Sequence, residues 1–426
     1  MNLVKYYWNK KNRKYSGVIA AGVLGVYTEP LYLLLFLLFQ MVRGPVFKSK
    51  VSLLFLVLVL HGFSMSLFTG YNINKFLQQL VLIVIVLYGY IQLYKSSKKS
   101  VDYWFGMYMG FSYIVSILGL FQLFMKLAVD INVFPYTLDL RPTQNSERVH
   151  SVLIEAGHLA LFLTPAVSYI IISRFFYGIN KIKSLVILSA AILTFSSSMY
   201  IGIGIAIMIK LYKKLRKLRL SFMLFGVFLA FSLFSVDYNN SEYQESTGVK
   251  NAYQKILQSA EALKFLMSSD SSPSYFENFN LSTYTTMTNA WVALNAPYRI
   301  TGTGLGTHQQ NYEAMYDSDY IYYGFNKEDG YSLFTRMFSE FGLIGIVLYL
   351  CFLIKFFNKR NILSYCLLIF IISALIKGGL YSLNCSVLFQ YLYYQCSKKS
   401  IDESFLLNCL NPNNYVKTYI NNNRNL

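Results

Sequence analysis

The segment RVHSVLIEAGHLALFLTPAVSYIII, which runs from Arg148 to Ile172, is a long apolar stretch with ionisable groups in its first part. About 20 residues of α-helix cross the hydrocarbon core of a bilayer, so this segment predicts a membrane helix. Arg148 stands at its start, and Glu155 and His158 follow inside it. A charge at the bilayer centre costs about 3 kcal/mol even on lenient scales, so these three groups indicate a functional site.

Composition places the whole chain in the membrane class. Of its 426 residues, 55% are hydrophobic and only 14% are charged, and the mean hydropathy is positive. Both properties are unusual for a soluble protein of this length. Apolar runs recur along the sequence, and most are long enough for a membrane crossing. They lie at residues 17–41, 51–67, 76–94, 103–129, 151–172, 184–212, 220–236, 333–357, 361–376 and 378–395.

Two of these runs are better explained as helical hairpins than as single helices. The first holds Thr28-Glu29-Pro30 at its middle, and the run at 184–212 holds Ser196-Ser197-Ser198. Lysine and arginine concentrate in cytoplasmic loops, and two hairpins put every basic loop on one side. The predicted fold class is therefore an all-α polytopic membrane protein with about twelve transmembrane helices and both termini cytoplasmic. The basic segments are residues 1–15, 42–50, 95–101, 174–183, 210–219 and 355–360.

This topology predicts the domain organisation. Residues 1–236 hold transmembrane helices 1–9, with a short external loop at 130–150. A large extracytoplasmic loop at 237–332 separates them from helices 10–12 at 333–396, and a cytoplasmic tail follows at 397–426. The amino terminus resembles a signal peptide but has no small-residue cleavage site, so we expect a retained first helix. All five cysteines fall in the last quarter of the chain, within predicted membrane helices or on the cytoplasmic side. No external disulfide is therefore expected.

The large external loop is acidic and partly helical in pattern. Residues 237–330 hold eleven Asp and Glu against five Lys and Arg, so the net charge of +18 arises from the cytoplasmic loops. It reflects membrane orientation, and we expect no nucleic-acid partner. Apolar side chains recur at helical spacing in Val249–Met267 and Ser282–Leu294, which predicts two amphipathic helices.

Glycines and tyrosines dominate the end of this loop. In PYRITGTGLGTHQQNY, Pro297 to Tyr312, three alternating glycines either expose backbone amides to an anionic ligand or form a flexible turn. Tyr312 and Tyr316 begin a tyrosine-rich stretch, where aromatic rings suit stacking on sugars. The alternative is the ordinary enrichment of tyrosine at membrane interfaces. Asp317-Ser318-Asp319 resembles a metal-binding DxD motif. Two solvent-exposed acidic side chains without a metal are the better explanation of this pattern.

Four short motifs occur in the same order as in O-antigen polymerases and O-antigen ligases, and they resemble the motifs of that family. The usual proline after the glutamate of the first motif is Ala156 here, and the arginine of the second motif is missing. The motifs are Arg148-x-x-Ser151-x-x-x-Glu155-x-x-His158, Leu193–Ser198 followed by Gly202 and Gly204, Tyr298–Gly306 at the end of the external loop, and Arg336–Gly345 at the return to the membrane.

The resemblance implies a GT-C-like glycosyltransferase in the bacterial cytoplasmic (inner) membrane. Its activity would be polymerisation, in which a growing glycan moves from a polyprenyl diphosphate to a lipid-linked repeat unit. The implied partners are the polyprenyl diphosphate-linked oligosaccharide, membrane lipids and a chain-length regulator protein, with no cofactor. A ligase that transfers glycan to lipid A core, or a flippase or exporter of lipid-linked oligosaccharide, are the alternatives. Family ligases usually carry a histidine where this chain has Asp329–Ser332, which favours the polymerase.

The resemblance also suggests site residues. A leaving diphosphate gains negative charge as the glycosidic bond breaks, and the forked arginine side chain grips phosphate well. Two of the four arginines named below have an alternative to diphosphate binding. For Arg141 it is a solvated charge in the loop, and for Arg336 it is snorkelling to the membrane interface or pairing with Glu340. Glu155 either orients Arg148 or acts as the catalytic base, and His308 is the other candidate base. No metal is expected, since a Glu-x-x-His metal site needs a second copy. The candidate diphosphate ligands are Arg148, Arg299, Arg141 and Arg336.

Overall fold

The computed structural model describes most of the chain. Arg141, the apolar run at 220–236 and the tail after residue 398 lie outside the described residues. The described residues are 13–24, 28–41, 51–97, 99–131, 133, 148–153, 155–173, 181–214, 248–268, 272–379, 381 and 385–398.

Within these ranges the chain is helical and contains no strand, as the sequence predicts. Helices α9 and α10 confirm the two amphipathic helices expected in the external loop. The helices are α1 (Arg13–Leu24), α2 (Thr28–Met41), α3 (Val51–Thr69), α4 (Ile73–Ser97), α5 (Val101–Val129), α6 (Ala156–Ile172), α7 (Lys181–Ile192), α8 (Ser197–Lys214), α9 (Gly248–Leu266), α10 (Leu281–Asn295), α11 (His308–Met315), α12 (Leu333–Phe356), α13 (Ile362–Ile376) and α14 (Ser386–Cys396).

Both long apolar runs divide into two helices, which confirms the predicted breaks. The first run divides between α1 and α2, and the second divides between α7 and α8. The second break is a turn in which Thr194 Oγ1 donates to the carbonyl of Ala191. Serine and threonine compete with the helical backbone for hydrogen bonds in this way, so they favour turns.

Among the described helices, three are long and apolar enough to cross a membrane, namely α4, α5 and α12. Several shorter helices are also apolar, among them α6 and α13. These helices indicate membrane association of an all-helical chain. The expected number of twelve crossings stays a prediction.

Helix α6 lies at the centre of the bundle and packs against α5, α7, α8 and α13. Fifteen of its seventeen residues are buried, as expected for a helix that is apolar on every side. Pro165 interrupts its hydrogen bonds. The Tyr108 hydroxyl bonds to the α6 backbone beside this proline. It accepts from the Ala166 N–H at 3.2 Å and donates to the Phe162 carbonyl at 2.5 Å.

The described part of the segment between α8 and α12 forms a small helical unit, here called the loop domain, from α9, a 3₁₀ turn at Pro273–Asn278, α10 and α11. Its core is aromatic, with Phe276, Tyr284 and Tyr312 fully buried. Helix α10 begins at the Asn280 N-cap, whose side chain accepts from the Thr283 N–H. The loop domain rests on the start of α12 through α10 and α11.

Candidate functional site

Polar side chains converge where the loop domain meets the ends of four apolar helices. Those ends are the first turns of α4, α6 and α12, with part of the second turn in α4 and α12, and the last turn of α13, and the predicted topology puts all four on the outward face. This cluster is called the polar junction below. Its residues are Gln79, Glu155, His158, Asn289, His308, Asp329, Tyr331, Arg336, Glu340, Lys377 and Tyr381.

Arg336 occupies the middle of the junction and is only 1% exposed. Its Nε donates to Glu340 Oε1 at 3.0 Å, one helical turn further along α12. Its Nη1 donates to the Gly379 carbonyl at 3.3 Å, and its Nη2 donates to Gln79 Oε1 at 3.1 Å. The Tyr381 ring stacks 4.5 Å from the guanidinium carbon. Each guanidinium nitrogen therefore has an acceptor within the fold, and the pairing with Glu340 is the alternative raised from the sequence.

The turn after α13 fits closely against the turn before α12. The Gly378 N–H donates to the Tyr331 carbonyl at 2.9 Å. A Cβ at Gly379 would lie 1.7 Å from the Asp329 carbonyl oxygen, so only glycine fits there. This contact carries Lys377, at the end of α13, into the polar junction. Its ammonium lies 5.6 Å from the centre of the Tyr331 ring.

Glu155 and Lys377 flank the first turn of α6. A Cβ built on Gly157 would lie 2.7 Å from Glu155 Oε1 and 3.2 Å from Lys377 Nζ. His158 Nε2 lies 3.8 Å from the same carboxylate oxygen. Because Gly157 has no side chain, an acid and a base from distant parts of the chain pack closely against the first turn of α6.

Asp329 is the second carboxylate of the polar junction. Its Oδ1 accepts from the Tyr331 N–H at 2.9 Å. Burial raises the pKa of Asp329, the hydrogen bond from Tyr331 and the charge of Arg336 oppose that rise, and nearby Glu155 adds to it. The two carboxylates are therefore close enough to influence each other electrostatically.

His308 is fully buried at the start of α11, and its tautomer can be assigned. Asn289 Nδ2 donates to the Thr285 carbonyl, so Asn289 Oδ1 is the atom that faces His308 Nε2 at 2.9 Å. Nε2 must therefore carry the proton, because Oδ1 can only accept. Nδ1 is then a buried lone pair without a hydrogen-bond partner among the described residues. Burial, with a contribution from Arg336, lowers the pKa of His308 to about 3.

The glycine-rich segment packs its backbone closely against α12. Residues 299–304, here called the strap, pair with the α12 backbone on both sides of Gly342, whose φ is 62°. The N–H groups of Thr303 and Gly304 donate to Ser339 and Glu340, and those of Leu343 and Ile344 donate to Arg299 and Ile300. A Cβ at Gly302 would lie 2.3 Å from the Glu340 backbone. These glycines permit close backbone approach, and the Gly302 and Gly304 amides are bonded inside the fold.

The other candidate arginines lie apart from Arg336. Arg148 Nε donates to the Thr194 carbonyl at 2.9 Å, so the first and second family-like motifs touch each other. Arg299 is exposed on the strap and donates to Asn295 Oδ1 at 3.2 Å. Arg141 lies outside the described residues. Their role as diphosphate ligands stays a prediction.

The two tyrosines expected to bind sugar are in the core of the loop domain. Tyr312 is 0% exposed and Tyr316 is 5% exposed, and their ring centres are 5.6 Å apart. The Tyr316 hydroxyl donates to Glu277 at 2.5 Å. Buried rings of this kind stabilise the loop domain, so neither belongs to the polar junction.

Sequence reasoning gave no functional role to Lys377, Gln79 and Asn289. Lys377 carried one usable signal, because it is the one charged residue between residues 361 and 395. Gln79 and Asn289 carried none, since a single amide in a helix is common.

Comparison of the chain with family models, with curated proteins and with solved structures gives no match.

Proposed function

We propose that the protein is a glycosyltransferase that polymerises lipid-linked repeat units at the outer face of a bacterial cytoplasmic membrane. The donor is a glycan on a polyprenyl diphosphate, and the acceptor is a lipid-linked repeat unit. The proposal includes twelve membrane crossings, with both termini cytoplasmic.

One observation carries this proposal. Helix ends that the sequence predicts to face outward converge with the loop domain on a cluster that contains Glu155, His308, Arg336 and Lys377. Ionisable groups that are buried together in a largely apolar helical protein are rare and mark candidate functional sites. Three of the family-like motifs contribute to this region, through Glu155, the strap and Arg336.

The chemistry is a nucleophilic substitution at the anomeric carbon. A hydroxyl oxygen of the acceptor sugar forms a bond to this carbon. The bond from the carbon to the diphosphate oxygen breaks, and its electron pair leaves with the diphosphate. The hydroxyl proton passes to a base, for which Glu155 is the first candidate because its carboxylate is partly exposed. His308 Nδ1 is the second, as a neutral imidazole that can accept a proton.

The lipid-linked glycan ladder of a strain that lacks the gene tests this function. Single repeat units in place of polymer are expected from the loss of a polymerase. Intact lipid-linked polymer without transfer to lipid A core would instead indicate a ligase. Repeat units that stay on the cytoplasmic side would indicate a flippase, and a normal ladder would exclude all three functions.

Orientation is tested with single cysteines in a cysteine-free background. Asp317 is exposed on the loop domain, and Lys359 is exposed in the turn between α12 and α13, so the two variants are Asp317→Cys and Lys359→Cys. An impermeant maleimide should label the first in intact cells and the second only after permeabilisation. The opposite pattern would invert the topology and remove the proposed site from the outer face.

A further inference from the structure

We infer that the strap is a re-entrant segment, which lies within one leaflet of the membrane and contacts lipid acyl chains through the Ile300 side chain. The leaflet is the one on the side of the loop domain. This inference requires that α12 crosses a membrane, and it is independent of the proposed enzymatic activity.

The position of the strap along α3 places it below the level of the loop domain. The turn between α3 and α4 marks that level, because the Asn72 N–H donates to Oε1 of Gln310 in α11 at 2.7 Å. The Thr301 carbonyl instead lies 2.9 Å from Nε2 of His61. This histidine lies about two turns before the end of α3 at Thr69. A helical turn rises about 5.4 Å, so the strap is roughly 12 Å deeper than the turn between the helices.

Helix α12 gives a similar depth independently. It is one of the helices long and apolar enough to cross a membrane, and its apolar sequence begins at its first residue, Leu333. The strap pairs with α12 at Gly342, which lies between two and three turns further on. This distance is about 13 Å along the helix. The hydrocarbon core of a bilayer is about 30 Å thick, so the strap lies in the half nearest the loop domain.

The hydrogen bonds of the strap meet the requirement for irregular backbone at this depth. Lipid offers no partner to a backbone N–H or carbonyl, so such segments enter the hydrocarbon only where the protein supplies the partners. The N–H groups of Thr301 and Gly302 both donate to the Tyr298 carbonyl. Those of Thr303 and Gly304 donate to α12, and the two carbonyls before Thr301 accept from α12.

His61 is the polar side chain that α3 contributes to the strap. Its Nε2 carries a proton and donates to the Thr301 carbonyl, because a carbonyl oxygen can only accept. No N–H of the described backbone donates to this carbonyl. Ionisable side chains inside an apolar membrane helix are expensive and serve specific partners. A histidine in the middle of α3 is thus explained by a strap that lies at membrane depth.

Ile300 is exposed at this depth, next to the exposed face of α12. Its side chain is 65% exposed, and its carbonyl accepts from the Ile344 N–H at 3.1 Å. Leu343 and Ile344 begin an exposed apolar face of α12 that continues through Val347 and Leu348. Phospholipid acyl chains cover this face when α12 crosses the membrane. Because Ile300 adjoins the same face, acyl chains cover it as well.

Fluorescence quenching tests this placement with the full-length protein in phosphatidylcholine nanodiscs. Ile300→Cys, Ile344→Cys and Ile321→Cys each receive an environment-sensitive fluorophore in a cysteine-free background. Ile321 is the matched control, because it is 82% exposed but lies on the loop domain. We expect nitroxide groups on the acyl chains to quench the probes at positions 300 and 344 several-fold more than the probe at position 321. Iodide in the water should quench them in the opposite order.

Two outcomes of this measurement would overturn the inference. If iodide quenches the probe at position 300 as strongly as the probe at position 321, the strap lies in water. If neither quencher reaches position 300, protein covers the side chain in place of lipid.

Photolabelling of the wild-type protein avoids the cysteine substitutions. A phosphatidylcholine with a diazirine in its acyl chain should label Ile300 or the residues beside it and leave Ile321 unlabelled, as read by tandem mass spectrometry. The exposed face of α12 is the positive control. Labelling of α12 without labelling of the strap would contradict the inference.

A charge at position 300 gives an independent measure. An exposed isoleucine in water tolerates aspartate with little change in stability, whereas a charge in hydrocarbon is expensive. We expect Ile300→Asp to lower the thermal unfolding midpoint in nanodiscs by several degrees, and Ile321→Asp to leave it close to that of wild type. Equal midpoints for the two variants would place Ile300 in water and refute the inference.

Discussion

Arg336 and Lys377 are two cations of the same polar junction with opposite surroundings. Arg336 is buried and donates to Glu340, Gln79 and the Gly379 carbonyl. Lys377 is only partly buried, and it lies beside Glu155 with its ammonium 5.6 Å from the centre of the Tyr331 ring. A fully buried cation with three hydrogen bonds to the protein holds the fold together, whereas a partly exposed cation contributes less to stability. Variants of the two residues should therefore separate stability from activity.

The largest effect is expected from Arg336→Met. It leaves Glu340 buried without its ionic partner, which typically costs about 3–5 kcal/mol. Thermal unfolding of the detergent-solubilised protein should show a large loss of stability. Adding Glu340→Leu should recover much of that loss, because an apolar pair of similar volume avoids the buried charge. Wild-type stability in Arg336→Met would remove the distinction between the two cations.

Glu155→Gln should act on activity and leave stability intact. Removal of the charge eases burial, so the protein should fold, but elongation should fall about 100-fold or more if the carboxylate is the base. The polymer ladder and the protein level measure the two effects, and His158→Ala should have the smaller effect on the ladder. His308→Ala identifies the base. An inactive His308→Ala beside an active Glu155→Gln would assign the base to His308.

The buried His308 should make stability depend on pH. Its pKa is about 3 in the folded protein, against about 6.5 in the unfolded chain. Between these values the unfolded state binds more protons, so stability falls as pH falls from 6.5 towards 3. The loss at pH 5 should be about 2 kcal/mol relative to pH 8. His308→Gln, which can still donate to Asn289, should remove this part of the pH dependence. An unchanged pH dependence in that variant would place the titration elsewhere.

The smallest effect on stability is expected from Arg299→Ala. The side chain is exposed and makes one hydrogen bond to Asn295, so the change should be within about 0.5 kcal/mol. Activity then tests the remaining arginine hypothesis separately. A loss of elongation without a loss of stability would support Arg299 as a diphosphate ligand.

Much of the fold was predictable because helices and their ends are determined by the hydropathy of the local sequence. The breaks at Thr28-Glu29-Pro30 and near Ser196 were visible as polar residues in apolar runs, and α9 and α10 were visible as apolar stripes. The pairing of Arg336 with Glu340 was also open to prediction, since it depends on a spacing of four residues. Local rules work when the interacting residues are near each other in sequence.

The rest of the site depends on contacts between distant parts of the chain. Lys377 meets Glu155 because the turn after α13 packs on the turn before α12, and no spacing in the sequence records that. For Tyr312 and Tyr316 the pattern was visible in the sequence, but it did not decide between two structures. Aromatic density is equally typical of a sugar site and of a small core, and here it forms the core.

The strap determines the order in which the loop domain and α12 reach their final structure during synthesis. Its four backbone hydrogen bonds join residues 299–304 to residues 339–344 of α12, which the ribosome makes later. Until α12 is in place, the strap has none of these four partners. The loop domain can therefore assume its final position only after α12 has inserted, and α12 can keep its break at Gly342 only when the strap is present. Truncation before residue 339 should leave the loop domain sensitive to proteases during synthesis, whereas truncation after α12 should protect it.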